Sequence, residues 1–462
     1  MSLNVNVFAQ KAPKGGLKIS DELIGIFFED ISNSADGGLN AELVQNGSFE
    51  FNPTMRDGWG PGTAWNFQRP GHSAGYINFA TDSPLNENNP TYMRIHAERV
   101  GHYYDFDGWT GVGLLNRGYN GMNVKAGEKY DFSVFFRNRD KAEKPVRVVL
   151  TGKDKKVLAE NVFTVKGNEW QKYSATLTAA EACPDASLQI LLLETGELDV
   201  DMVSLMPQNT FKGHGLRKDL VEALQALNPK FMRFPGGCVV HGGGDGFWNT
   251  YRWKTTVGPK EQRKALKNTW GYCQSMGLGY YEYFQLCEDL NMQPVPILPC
   301  GVSCQGVNGG WGMKGQAQKV VPMEEMDEWV QDALDLIEWA NGDVTTKWGK
   351  VRAEAGHPKP FGLKYLGIGN EEKISPEFAE RFKYLYRKIM EKHPEIVIIG
   401  TAGPGSHAGN PDYDNAWKLA EELDMPIIDE HYNNNYLALN LGFVHAQAAE
   451  SAGGAEGALG EQ

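Results

Sequence analysis

The chain reads as an α/β protein: a parallel sheet, closed into a barrel or left open, with an all-β sandwich inserted near its start. Three observations predict this. From about Asn209 onward, short apolar strands alternate with amphipathic helices, the order that builds a parallel sheet. Between about Gly71 and Pro207, apolar residues recur at every second position without a helical period, as in the half-buried strands of a sandwich. Upstream of both, the apolar run Gly25-Ile26-Phe27-Phe28 supplies a first strand for the later sheet.

Taken in order, residues 17–67 contain that run, then Glu29-Asp30, then a Gly- and Asn-rich stretch through Gln45-Asn46-Gly47-Ser48-Phe49-Glu50. In residues 71–207, Tyr130, Phe132, Val134 and Phe136 alternate with mostly polar residues, and segments 146–150, 173–177 and 188–192 repeat the pattern. Beyond them, Phe231–Phe234 is a strand closed by Pro235-Gly236-Gly237, and residues 295–298 are another. A helix over residues 326–340 places Met326, Val330, Ala333, Leu334 and Ile337 on one face, with Gly342 as its stop. Ser375 caps a helix with Pro376 at its first position, which buries Phe378, Phe382, Leu385 and Ile389. Segments 396–399 and 426–429 bring the count from Gly25 to six strands; a closed β/α barrel has eight. After Tyr432 the texture changes. Asn433-Asn434-Asn435 leads into an Ala/Gly/Glu-rich tail over residues 446–462 that shows no strand or helix period and reads as disorder or a shifted reading frame.

The 462 residues allow two or three domains. A net charge of -13 argues against nucleic acid or an anionic membrane surface as partner, and no stretch is apolar enough to span a membrane. Twelve Trp suit the apolar faces of sugars, although for any one of them core packing is the plainer role. Six Cys form no dense disulfide framework. Cys300 and Cys304 have C-x-x-x-C spacing with no second pair, which argues against zinc, so the cysteines read as buried thiols and neither metal nor cofactor is implied. The first ten residues lack a basic region, but Val7-Phe8-Ala9-Gln10 has the form of a leader's end. That favours a secreted or periplasmic location over a cytoplasmic one.

The segment with most chemical content is Lys364-Tyr365-Leu366-Gly367-Ile368-Gly369-Asn370-Glu371, an apolar strand ending in Gly-Asn-Glu. At the carboxyl end of a barrel strand, Asn370 could bond a sugar hydroxyl and Glu371 could pass a proton to a glycosidic oxygen. The plainer role for Glu371 is a surface ion pair with Lys373. Glu29 likewise ends a strand. Arg233 sits within an apolar strand, so it needs a buried partner. His241, followed by three glycines, reads as a mobile loop residue. Trp248 and Trp253 contact substrate or simply pack, and Tyr103, Tyr104 and Trp109 form an aromatic cluster that either binds glycan or is structural.

These motifs, in this order, resemble the α-L-arabinofuranosidases of glycoside hydrolase family 51. The likeness rests on Gly25-Ile26-Phe27-Phe28-Glu29-Asp30, Ala41-Glu42-Leu43-Val44-Gln45-Asn46, Arg233-Phe234-Pro235-Gly236-Gly237-Cys238, Trp253-Lys254, Gly279-Tyr280-Tyr281-Glu282-Tyr283, Gly369-Asn370-Glu371 and Asp429-Glu430-His431-Tyr432. It implies a (β/α)8-type TIM barrel: residues 17–67 as its first part, 71–207 as a galactose-binding-like carbohydrate-binding sandwich, 208–432 as an incomplete catalytic barrel and 433–462 as an aberrant tail. It implies a retaining hydrolase that releases terminal non-reducing α-L-arabinofuranosyl groups from arabinan or arabinoxylan, with oligomers expected of the full-length protein. Glu371 is then the general acid/base, with the raised pKa an acid requires. Asn370 and Glu29 hold sugar hydroxyls, Cys238 is a candidate sugar contact at a position where many members carry Asn and others Cys, and His431 and Tyr432 line the pocket or orient the nucleophile, or else pack at the barrel rim. The family's nucleophile, a Glu on the seventh strand, has no counterpart here; Glu430 is a weak substitute. Two other readings follow from that gap, a sugar-binding protein without turnover and a truncated chain that does not fold stably. Within the enzyme class the runner-up is β-xylosidase or endoglucanase activity.

Overall fold

The structure, a computed structural model, describes residues 20, 22–101, 109–242, 247–305, 318–405 and 407–432, and the backbone of the strand Phe443–Ala446. Tyr103 and Tyr104 lie outside the described residues, as does most of the tail beyond Tyr432. Six parallel strands stand side by side in chain order: Ile26–Phe27, Phe231–Phe234, Gln293–Leu298, Tyr365–Ile368, Val397–Thr401 and Ile427–Glu430. Their apolar residues, among them Met232, Phe234, Leu366, Ile398 and Ile428, are buried, as expected of a parallel sheet whose crossovers place helices against it.

The sheet is curled. At about 4.8 Å per strand a flat sheet would separate its second and sixth strands by about 19 Å. Instead, Arg233 Nε on the second lies 2.9 Å from Asp429 Oδ2 on the sixth. Side chains from distant strands therefore meet on the concave side, as in a partial TIM barrel. A seventh strand, Phe443–Ala446, pairs antiparallel with Ile427–Glu430. It overlaps the Ala/Gly/Glu-rich tail at Ala446 alone, and it corrects the expectation that all of residues 433–462 is aberrant or disordered. Pairing on an open sheet edge requires backbone donors and acceptors, which every segment has, and not the alternation that was sought in the sequence.

The helices follow their periodicity. Met326–Asn341 buries Met326, Val330, Ala333 and Ile337, with Leu334 half-buried. Pro376–Lys392 buries Phe378, Phe382, Leu385 and Ile389, and Ser375 Oγ accepts the Phe378 N–H at 3.3 Å. Trp253 is fully buried beside Trp339, Trp348 and Tyr280 and donates its indole N–H to Asp332 O, so it is core; Trp248 is 52% exposed.

The inserted unit is a sandwich of two antiparallel sheets. One runs Gln171–Thr178, Lys129–Asn138, Gly196–Pro207, Tyr92–Arg99, Ala74–Ala80; the other Trp65–Gln68, Val112–Asn116, Cys183–Leu192, Lys144–Thr151, Val157–Val165. The alternating residues Tyr130, Phe132, Val134 and Phe136 all point into its core. Val44, Phe49 and Trp65 join that core, so part of the segment expected to belong with the barrel packs on the sandwich. Asn86, Asn88 and Asn89 donate to the carbonyls of Glu261, Gln262 and Arg263, which ties the sandwich to a barrel loop. Among the described residues no helix is long and apolar enough to cross a membrane.

Candidate active site

Every site residue named from the sequence leaves the carboxyl end of a parallel strand. Glu29 follows the first, Cys238 the second, Asn370 and Glu371 the fourth, His431 and Tyr432 the sixth. Two glycines let them approach. Gly236 has φ +152, and a Cβ there would sit 2.4 Å from Glu29 Cγ. A Cβ on Gly237 would sit 3.3 Å from Glu29 Oε2 and 3.4 Å from both atoms of the Asn370 amide. Glu29 and Asn370 thus face one spot from different strands.

Arg233 sets the orientation. Its buried guanidinium donates to Asp429 Oδ2 at 2.9 Å, to Gly236 O at 2.8 Å and to Asn370 Oδ1 at 2.8 Å. This is the buried partner that its apolar strand required. An arginine can only donate, so Asn370 Oδ1 is fixed as the acceptor. The amide Nδ2 is left buried with no hydrogen-bond partner among the described residues. Glu371 Oε1 lies 3.0 Å from His431 Nδ1, and its Oε2 accepts from Gln305 Nε2 at 3.1 Å. The far nitrogen of His431, Nε2, lies 3.2 Å from Asp429 Oδ2. Arg233, Asp429, His431 and Glu371 therefore form one polar chain across the concave side.

The charges follow from that chain. Burial works against a charge on His431, but Asp429 and Glu371 outweigh it and hold its proton up to about 9. Burial alone would raise Glu371; the bond and charge of His431, with His241 and Gln305, hold it below the ordinary glutamate value instead. This corrects the raised value expected of an acid: an imidazolium at hydrogen-bond distance outweighs desolvation. Asp429 is likewise buried, yet Arg233 and His431 keep it well below the usual carboxylate range. Glu29 is shifted up by burial, against the N–H groups of Val239 and Gly237.

Glu430 is buried and engaged elsewhere. It accepts from Tyr413 Oη at 2.6 Å, from Trp417 Nε1 at 2.9 Å and from the Tyr432 hydroxyl. Tyr432 is thus turned toward Glu430. His241 is not a mobile loop residue: it ends the one-turn helix Cys238–His241 and is fully buried. The glycines after it gave a misleading signal, because the helix packs inward before they begin. Cys238 is buried too, with Gln305 Nε2 3.9 Å from its Sγ. No disulfide joins any of the six cysteines. Sequence reasoning gave no role to Gln305, to Asp429 or to Trp270, which packs against Cys238 and Cys304. Only Asp429 carried a signal, since it stands beside Glu430 and His431 at a strand end. Two concave regions of about 330 and 500 Å³ lie elsewhere, one between sandwich and barrel and one along Met326–Asn341, and none of these site residues borders either.

Residues 223–443 match the family model of the α-L-arabinofuranosidase 1 domain. An extracellular exo-α-L-arabinofuranosidase of Streptomyces chartreusis is 41% identical over 433 residues, covering 91% of this chain and 48% of that protein. α-L-Arabinofuranosidase 1 of Arabidopsis thaliana is 35% identical over 400 residues, covering 85% of this chain and 55% of that protein. The arabinose-bound structure of the α-L-arabinofuranosidase MgGH51 superposes with a TM-score of 0.71 at 27% identity, over 85% of this chain and 61% of that one. The chain spans about half the length of the two curated relatives. The likeness runs through both the sandwich and the curled sheet, and on that ground the chain belongs to glycoside hydrolase family 51, the family of the α-L-arabinofuranosidases.

Proposed function

We propose that this chain acts on terminal non-reducing α-L-arabinofuranosyl groups of arabinan or arabinoxylan, with Glu371 as general acid/base of a retaining hydrolysis. The observation that carries the reading is the convergence of Glu29, Asn370 and Glu371 from the ends of the first and fourth strands. The unpartnered Asn370 Nδ2 offers a donor, and Glu29 an acceptor, to vicinal sugar hydroxyls. A relative whose structure holds arabinose supports the choice of sugar. An extracellular relative supports a secreted location.

Glu371 held ionised by His431 suits the base half of a retaining cycle, in which it takes a proton from water. The acid half needs its pKa raised. In retaining enzymes a second carboxylate about 5–5.5 Å away serves as nucleophile, and its charge pushes the acid upward. Glu430 is poorly placed for that part, because Tyr413, Trp417 and Tyr432 occupy its oxygens. That observation favours a second reading, in which the chain binds arabinofuranosides without turning them over.

The test is Glu371→Gln assayed on an arabinofuranoside with a chromogenic leaving group. General acid/base catalysis is worth about 10²–10⁴-fold, and a fall of that size in turnover is expected. Undiminished turnover would remove Glu371 from the role. Saturable binding of arabino-oligosaccharide by the unaltered chain, with no product formed, would establish the second reading.

A further inference from the structure

Beside the acid/base site lies a cluster that the glycosidase reading does not use. Cys238 Sγ, a ring nitrogen of His241 and Cys304 Sγ all lie within 4.8 Å of one another. All three residues are buried: Cys238 is 7% exposed, Cys304 1% and His241 0%. Among the described residues neither ring nitrogen of His241 has a nitrogen or oxygen hydrogen-bond partner; it faces the Cys304 thiol, and the buried Glu372 carboxylate also acts on it through its charge. An imidazole sealed from water and set beside two thiols is poorly satisfied by hydrogen bonds alone. Two sulfurs and one imidazole are, however, a donor set for a soft cation.

We propose that Cys238, His241 and Cys304 form a site for a soft divalent cation, with zinc as the ion that fits best, clasping the loop after the second barrel strand to the loop after the third. The spacing supports it. Tetrahedral zinc, with bonds of about 2.3 Å to sulfur and about 2.0 Å to nitrogen, sets its ligands roughly 3.5–3.8 Å apart. The three atoms, within 4.8 Å of one another, therefore need to close by at most about 1.3 Å. Cys238 and His241 are three apart on one helical turn and project from the same face. Cys304 comes from 63 residues further on, so C-x-x-x-C spacing concealed the pairing: its companion is Cys238 and not Cys300. Three protein ligands leave a fourth position unfilled, on the side of Gln305, whose amide lies against both thiols and also bonds Glu371.

The measurement does not depend on turnover, so it stands apart from the arabinofuranosidase reading. The full chain, without a metal-binding tag, is dialysed with zinc and then against metal-free buffer, and its metal content is measured. One zinc per chain is expected, falling to near zero in Cys304→Ser and in His241→Ala but retained in Cys287→Ser, a buried cysteine outside the cluster. In case a variant does not fold, the unaltered chain is loaded with cobalt(II), and thiolate-to-cobalt charge-transfer absorption is expected. Absence of bound metal, retention of zinc by both cluster variants, a cobalt spectrum without thiolate bands, or a Cys238–Cys304 disulfide in the purified chain would each overturn the proposal.

Discussion

His431 stands between two carboxylates, Glu371 at 3.0 Å and Asp429 at 3.2 Å. Its proton is held up to about 9, above the 6.5 of an ordinary imidazole. A shift of that size corresponds to about 3 kcal/mol of stabilisation. It is fully present below about pH 6.5 and fades as pH rises through about 9. Unfolding midpoints measured near pH 6 and near pH 10 should therefore fall in the unaltered chain and change much less in His431→Gln. The same variant removes the main influence that lowers Glu371, so the Glu371 carboxyl, followed by carbon NMR, should titrate at a higher pH. Equal pH dependence in both chains would remove His431 from the network. The strand-end positions of Glu29, Asn370 and Glu371 were legible in the sequence because an apolar run leads up to each, and His431 was singled out by the family motif that contains it. Gln305 was not: it meets Glu371 across 66 residues, and nothing local to either residue marks the meeting.

At the scale of elements, the link between the second and sixth strands is the Arg233–Asp429 pair, both members 8% exposed or less at their side chains. Removing one partner of a buried pair leaves an uncompensated charge and costs about 3–5 kcal/mol. Asp429→Ala should lose that much in denaturant unfolding, while replacing both partners by apolar residues of similar volume should recover most of it. A loss under 1 kcal/mol in the single variant would mean that the curl is held by other contacts. The alternation of strand and helix made the parallel sheet legible, and the caps of its helices too. The curl was not, because it depends on side chains from non-adjacent strands meeting, which periodicity does not report. Residues 17–67 were assigned to the barrel, whereas Val44, Phe49 and Trp65 among them find their apolar neighbours within the sandwich.

The whole molecule has two large cores, one in the sandwich and one beneath the curled sheet, joined by loops and polar contacts. The first strand of the sheet, Ile26–Phe27, pairs only with Phe231–Phe234 among the described residues, and Leu23, Ile24 and Phe27 nearby are 55%, 61% and 36% exposed. An unpaired strand edge flanked by exposed apolar side chains invites pairing with another chain. Sedimentation velocity on this 462-residue chain should show concentration-dependent association at micromolar levels. Ile24→Lys should shift it toward monomer. A chain that stays monomeric over that range without the substitution would show the edge to be protected.

The opposite edge is treated differently. Phe443–Ala446 lies antiparallel along Ile427–Glu430 and takes up its outward-facing donors and acceptors. A strand joining by a crossover helix would arrive in the parallel sense and need those same groups. The antiparallel strand is therefore a tenant on that edge: any parallel neighbour can bind there only by evicting it, and closure of the barrel becomes an exchange of partners.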